Sequence, residues 1–228
     1  NAEGLGNSVS DNVEYRPFYT DLERTTKSVA EVDPEDLSSL LDSGSFSIPE
    51  GQDSESALQV TVDEELTINV SDSGGTSSVF LPIGTVITNE DGTIDVPDLT
   101  SDDISESSLT GLGTGVVADG ALQWGLDNVE LSFSQPITLS IFVGTALNGT
   151  TLNIVRSTSD SGGWTADGIV APATCVISAG ICSFQATKAS FYATTHTTPQ
   201  SSSAGTQALS AASGSVAAPS CYDQKPGS

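Results

Sequence analysis

The sequence predicts an all-β protein: an antiparallel β-sandwich with an extended N-terminal arm and a C-terminal tail. Three observations carry that expectation. Short runs of alternating apolar and polar residues recur through the middle of the chain, separated by turn residues. Apolar residues make up only 36% of the 228, and Ser, Thr and Gly fill the difference, a composition suited to extended chain and turns. After residue 57 no helix longer than three turns is signalled.

Charge divides the chain into three regions. Residues 1–57 carry 13 acids and 3 bases, 58–197 carry 16 acids and 2 bases, and 198–228 carry one of each. The formal net charge of −24 repels nucleic acid and anionic membranes, so neither is expected as a partner. No apolar run approaches the roughly 18 residues of a membrane-spanning helix. With no methionine even at position 1, the expectation is a mature secreted chain, extracellular or at the cell surface, whose signal peptide has been removed.

In the first region, "DPEDLSSLLDSG" predicts a short helix over about residues 33–43. Asp33 can cap its start, Pro34 fits its first position, Gly44 stops it, and Leu37, Leu40 and Leu41 form its apolar face. Upstream, "VEYRPFY" is an aromatic cluster broken by Pro17. Val13, Tyr15, Phe18 and Tyr19 make it the favoured of two candidate segments for donation to a neighbouring subunit, the other being "TQALSAASGSVAA" in the tail. Half of the chain's bases, Arg16, Arg24 and Lys27, also fall in this arm.

The middle region, 58–197, reads as the sandwich. "ALQVTVDEELTINV" gives two alternating runs. Asp91-Gly92, inside "VFLPIGTVITNEDGTIDV", is the strongest hairpin signal and would set Ile87 opposite Val96. Val129, Leu131 and Phe133 alternate inward. Pro136 interrupts the ladder, and Ile137, Leu139, Ile141 and Val143 resume it. "ALQWGL", "TLNIVRS", "GIVA", "TCVIS", "ICSFQAT" and "SFYATT" complete about a dozen short strands, the spacing of an antiparallel sandwich or barrel. The tail 198–228 is rich in Ser, Ala and Gly.

The parts of most enzymes are missing. His196 is the single histidine, and three scattered cysteines cannot supply zinc spacing, so no catalytic residue, metal centre or cofactor is expected. "GLGTGVV" lacks the third glycine of a dinucleotide loop. "NEDGTID" resembles part of a calcium loop but lacks the first acid and the closing glutamate, so it reads as a plain turn. "SDDISE" reads as a solvated acidic loop, with a cation as the alternative. Asn69-Val70-Ser71 and Asn148-Gly149-Thr150 are candidate glycosylation sites. Trp124 and Trp164 read as packing residues or as a sugar platform, and Lys188 reads as a strand lysine whose head reaches solvent.

Cys175 and Cys182 are expected to pair. With 177–180 as a four-residue hairpin loop they lie directly opposite each other, close enough to bridge. Such a staple belongs to an oxidising compartment. Cys221 is then the odd cysteine, free or paired between chains.

"LSFSQPITLSIFV", "GGWTADG" and "CVISAGICSFQATKASFYA" together resemble the closing half of β-sandwich modules in large secreted surface proteins of bacteria, over about residues 79–196. The resemblance implies an immunoglobulin-like extracellular module with structural or adhesive roles and no catalysis. Arm and tail lie outside the pattern. The expected function is therefore a homo-oligomeric, pilus-like structural subunit that self-assembles by donating a strand to its neighbour. The alternative is a secreted adhesin or carbohydrate-binding module, with a surface glycan or cation as ligand.

Overall fold

Alternation in sequence becomes alternation in burial, strand by strand. The computed structural model describes residues 37–71 and 74–198. Twelve strands form there: β1 (Phe46–Ser47), β2 (Gln59–Val62), β3 (Leu66–Ser71), β4 (Thr76–Leu81), β5 (Val86–Asn89), β6 (Thr100–Asp103), β7 (Val116–Gly125), β8 (Leu131–Phe142), β9 (Thr151–Ser157), β10 (Thr174–Val176), β11 (Ile181–Ala189) and β12 (Phe191–Thr197). Every pairing is antiparallel. The strands make two packed sheets, one of seven strands and one of five, so the all-β sandwich expected from the sequence is the fold.

β8 organises the seven-stranded sheet. Leu131, Phe133, Ile137, Leu139 and Ile141 all point into the core. Each buried side chain of this kind contributes about 1.5–3 kcal/mol. Along one edge β8 pairs first with β5 and then with β4, and along the other it pairs with β11. Pro136 falls where the neighbour changes. There the register with β11 slips, leaving 133–136 opposite Thr187 alone. A residue without an N–H is tolerated at such a break. β2 and β1 extend the sheet beyond β5, and β3 ends it beyond β4. The five-stranded sheet runs β10-β9-β12-β7-β6.

Between the sheets, Trp124 of β7 meets Phe133 of β8 edge-on at 5.3 Å, and Tyr192 of β12 meets Phe184 of β11 at 5.8 Å. Gly120 lies where β7 passes closest to β8, and a Cβ there would come within 2.9 Å of Ile141 and the Phe142 carbonyl.

Several expectations need correction. The helix is a single turn, α1 (Ser39–Asp42), and residues 33–36 lie outside the described residues. Gly44 does stop it, at φ +76°. Leu37, Leu40 and Phe46, assigned to the arm, belong to the sandwich core. The Asn89–Gly92 turn forms, with Gly92 N–H bonded to the Asn89 carbonyl, but no hairpin follows. Both edges of β5 are already taken by β2 and β8, so Ile94 pairs with Ala57 instead. Residues 101–103, expected as part of an acidic loop, fall in β6, whereas "GIVA" makes only the Ile169–Ala186 bridge.

Candidate functional site: the sheet edges

Cys175 and Cys182 are bonded, with Cα atoms 5.5 Å apart. Their setting differs from the expected hairpin. Cys175 on β10 pairs with Leu152 in the five-stranded sheet, and Cys182 on β11 pairs with Ile141 in the seven-stranded one. The disulfide therefore ties one sheet to the other. The turn between them has two residues, not four: Ser178 and Ile181 exchange backbone hydrogen bonds around Ala179 (φ +53°) and Gly180 (φ +81°). Two left-handed residues in a two-residue loop match the twist of the flanking chain.

The other end of β11 carries a second tie. Arg156 of β9 is buried and donates to Glu130 Oε2 at 2.6 Å, to the Ala189 carbonyl at 2.6 Å and to the Asp167 carbonyl at 2.9 Å. Lys188 Nζ reaches Glu130 Oε1 at 2.8 Å and Asp167 Oδ2 at 2.9 Å, so its head is ion-paired and not free in solvent. The two bases of the middle region thus share the same two carboxylates. Lys188 foremost holds the Glu130 and Asp167 carboxyls below their usual range, and these carboxylates raise Lys188 in turn. Burial pushes the Tyr192 hydroxyl upward, and it donates to the Lys188 carbonyl at 2.5 Å. Composition counted these bases, but nothing in the sequence placed them together.

Between β9 and β10, residues 158–173 lie as a strap across the side of the sandwich. Thr165 and Arg156 exchange backbone bonds at 2.7 and 2.9 Å, and Ile154 N–H donates to the Ala173 carbonyl, so the strap follows β9. It also follows β11: Val170 N–H donates to the Gln185 carbonyl, and Thr187 N–H to the Gly168 carbonyl at 2.7 Å. On this side the strap thus bridges β9 and the 185–187 stretch of β11.

The opposite side is different. There β3 and β6, the last strands of their sheets, run close together. β6 carries Asp102 and Asp103, and like charge protects an edge from pairing. β3 has six residues, "LTINVS", with no charge, no proline and no bulge in its register to β4. Of the other terminal strands, β1 and β10 have two and three residues, and β11 lies under the strap over 185–187. Leu66, Ile68 and Val70 of β3 fill the core, and Asn69 and Ser71 are exposed. Among the described residues β3 is the long bare edge.

Other candidates fall into place around this geometry. Asn69 of the first sequon stands exposed on β3; Asn148 of the second is exposed, but its Oδ1 accepts from Gly180 N–H at 2.8 Å. Trp124 is fully buried, which rules it out as a sugar platform. Trp164 is half-buried in the strap and donates its indole N–H to the Thr110 carbonyl at 2.8 Å. His196 Nδ1 lies 2.7 Å from Asp119 Oδ2. An open cleft of about 820 Å³ is lined by Glu55, Asp95, Asp98, Asp102 and Asp127 among others, and no aromatic residue lines it. Among the described residues no group of three or more His, Cys, Asp or Glu is placed to hold a metal ion. Val13, Tyr15, Phe18, Tyr19 and Cys221 lie outside the described residues.

The disulfide suits a non-reducing environment. No described helix is long and apolar enough to cross a membrane. Comparison with protein-family models, curated proteins and solved structures finds no match to this chain.

Proposed function

We propose that this chain is a structural subunit of an extracellular filament or surface layer, and that subunits join by adding an extended segment of one copy to the β3 edge of the next. The single observation that carries the reading is the character of β3: six residues of edge, unprotected among the described residues, on a sandwich whose opposite side carries a strap. An exposed edge is a template for strand addition, and its backbone groups gain partners when a strand arrives.

The donor is the segment around Val13, Tyr15, Phe18 and Tyr19. Thirty-six residues precede Leu37, enough to extend on the order of 100 Å and reach a neighbour. In a chain of net charge −24, residues 13–27 hold three acids and three bases, so this stretch approaches another copy without net repulsion. A head-to-tail contact of this kind propagates without closing. The carbohydrate-binding alternative has lost Trp124 to the core and keeps only Trp164.

Negative-stain microscopy and gel filtration of three proteins test the reading: the full chain, the chain lacking residues 1–20, and Asn69→Lys. The expectation is filaments for the first and monomers with unchanged circular dichroism for the other two. Assembly by the truncated chain would exclude N-terminal donation. Assembly by Asn69→Lys would exclude β3. A full chain that stays monomeric would exclude the filament.

A further inference from the structure

We propose that the 158–173 strap is a latched cover that keeps the β11 edge from accepting a strand, leaving one acceptor edge per subunit. The inference rests on the assembly reading for its consequence, while the cover itself stands on the geometry.

β11 has nine residues, three more than β3, and it is the terminal strand on its side of β8. Its charge and its slip lie at the far end, at Lys188, while Ser183 and Gln185 before them are exposed and uncharged, so that stretch has little protection of its own. The strap supplies it instead. It takes two outer backbone groups of β11, the Gln185 carbonyl through Val170 N–H and the Thr187 N–H through the Gly168 carbonyl, and so covers the 185–187 stretch. A subunit with one donor segment and two acceptor edges would branch, whereas one donor and one acceptor give a linear polymer.

Two ties of different chemistry hold the strap. Past its end, Cys175 is bonded to Cys182 of β11. Near its middle, Asp167 is held by Lys188, and its carbonyl by buried Arg156. The strap also passes very close to Lys188: a Cβ on Gly168 would lie 2.5 Å from the Lys188 Cβ, and Gly168 has φ +77°. The glycine is what lets the strap lie down on β11.

The occupant of an uncovered β11 is the donor segment of a second copy. The test uses the full chain in three forms, all in an Asn69→Lys background that closes β3: with the strap intact, with Lys188→Gln plus Cys175→Ser and Cys182→Ser, and with Gly168→Val alone, which changes no residue of either tie and forces the strap away from Lys188. Hydrogen exchange at the Thr187 amide reads the cover, and light scattering reads association. The expected result is at least tenfold faster exchange at Thr187 in both altered forms, unchanged protection in β7 and β12, and association that appears only in those forms. Unchanged exchange at Thr187 would overturn the latch. Faster exchange without association would overturn the edge as an acceptor. Neither outcome depends on β3, so failure of the β3 filament is read separately, in the protein with native Asn69.

Discussion

Arg156 shows how a single residue can hold more structure than its share of the composition. Its guanidinium is buried, and its donors reach Glu130, the Ala189 carbonyl and the Asp167 carbonyl, which come from three separate stretches of chain. Arg156→Ala would remove the donor from Glu130 Oε2 and from two carbonyls, leaving Lys188 alone on the Glu130 carboxylate. The expected loss is about 3 kcal/mol of unfolding free energy, measured by urea titration; a loss under about 1 kcal/mol would show the pair to be solvent-compensated. Ala179 presents the opposite case. It holds φ +53° beside Gly180, a conformation that costs a non-glycine residue about 1 kcal/mol or more. Ala179→Gly is expected to stabilise the protein by up to about 1 kcal/mol, part of the gain being offset by added freedom in the unfolded chain. A lower denaturation midpoint would contradict this.

Among the elements, β11 connects the two sheets. Chain crosses from β10 into it through the two-residue turn and leaves it for β12 at Ser190. The disulfide fastens the first crossing and the ion cluster the second. The bond closes a short loop, so Cys175→Ser with Cys182→Ser is expected to cost about 2–3 kcal/mol, and wild-type protein in strong reductant should fall by the same amount. Equal denaturation midpoints with and without reductant would show that packing alone holds this corner. Pro136 marks how far local pattern reached: the break was visible as a proline inside an alternating run, while the slip in register beside it belongs to β11 and needed the neighbour.

For the whole molecule, the ion cluster links stability to pH. Glu130 and Asp167 have folded pKa values below their ordinary ones. Their contribution is therefore present above the ordinary carboxylate range and is lost as pH falls through the depressed folded values. Lys188 is raised, so its contribution is present below its ordinary value and is lost as pH rises through the higher folded one. The cluster is intact across the neutral range and fails at both extremes. Because Asp167 is largely exposed, Lys188→Gln is expected to cost only about 1 kcal/mol near pH 7. That difference from wild type should shrink towards about pH 2, as falling pH protonates the carboxylates that Lys188 pairs with. Urea melts of the pair at the two pH values measure it, and a difference that persisted in acid would point to lost stem packing instead.

Much of this architecture is written along the chain. The period-two burial of β3, β4 and β8, the stop at Gly44, the left-handed Gly180 and the pairing of Cys175 with Cys182 all follow from local rules: side chains alternate across a strand, and only certain residues turn left. The tertiary structure decided everything that depends on which strand lies beside which. It placed the two cysteines in different sheets, sent Ile94 to Ala57 and not back onto β5, buried Trp124, and gathered the only two bases of residues 58–197 onto Glu130 and Asp167. It also set the strap along one side and the bare β3 edge, among the described residues, on the other. The physical reason is that hydrogen-bonded edges and ion pairs form between residues distant in sequence. Their partners are selected by competition among edges in the folded sheet, and no local periodicity records the outcome.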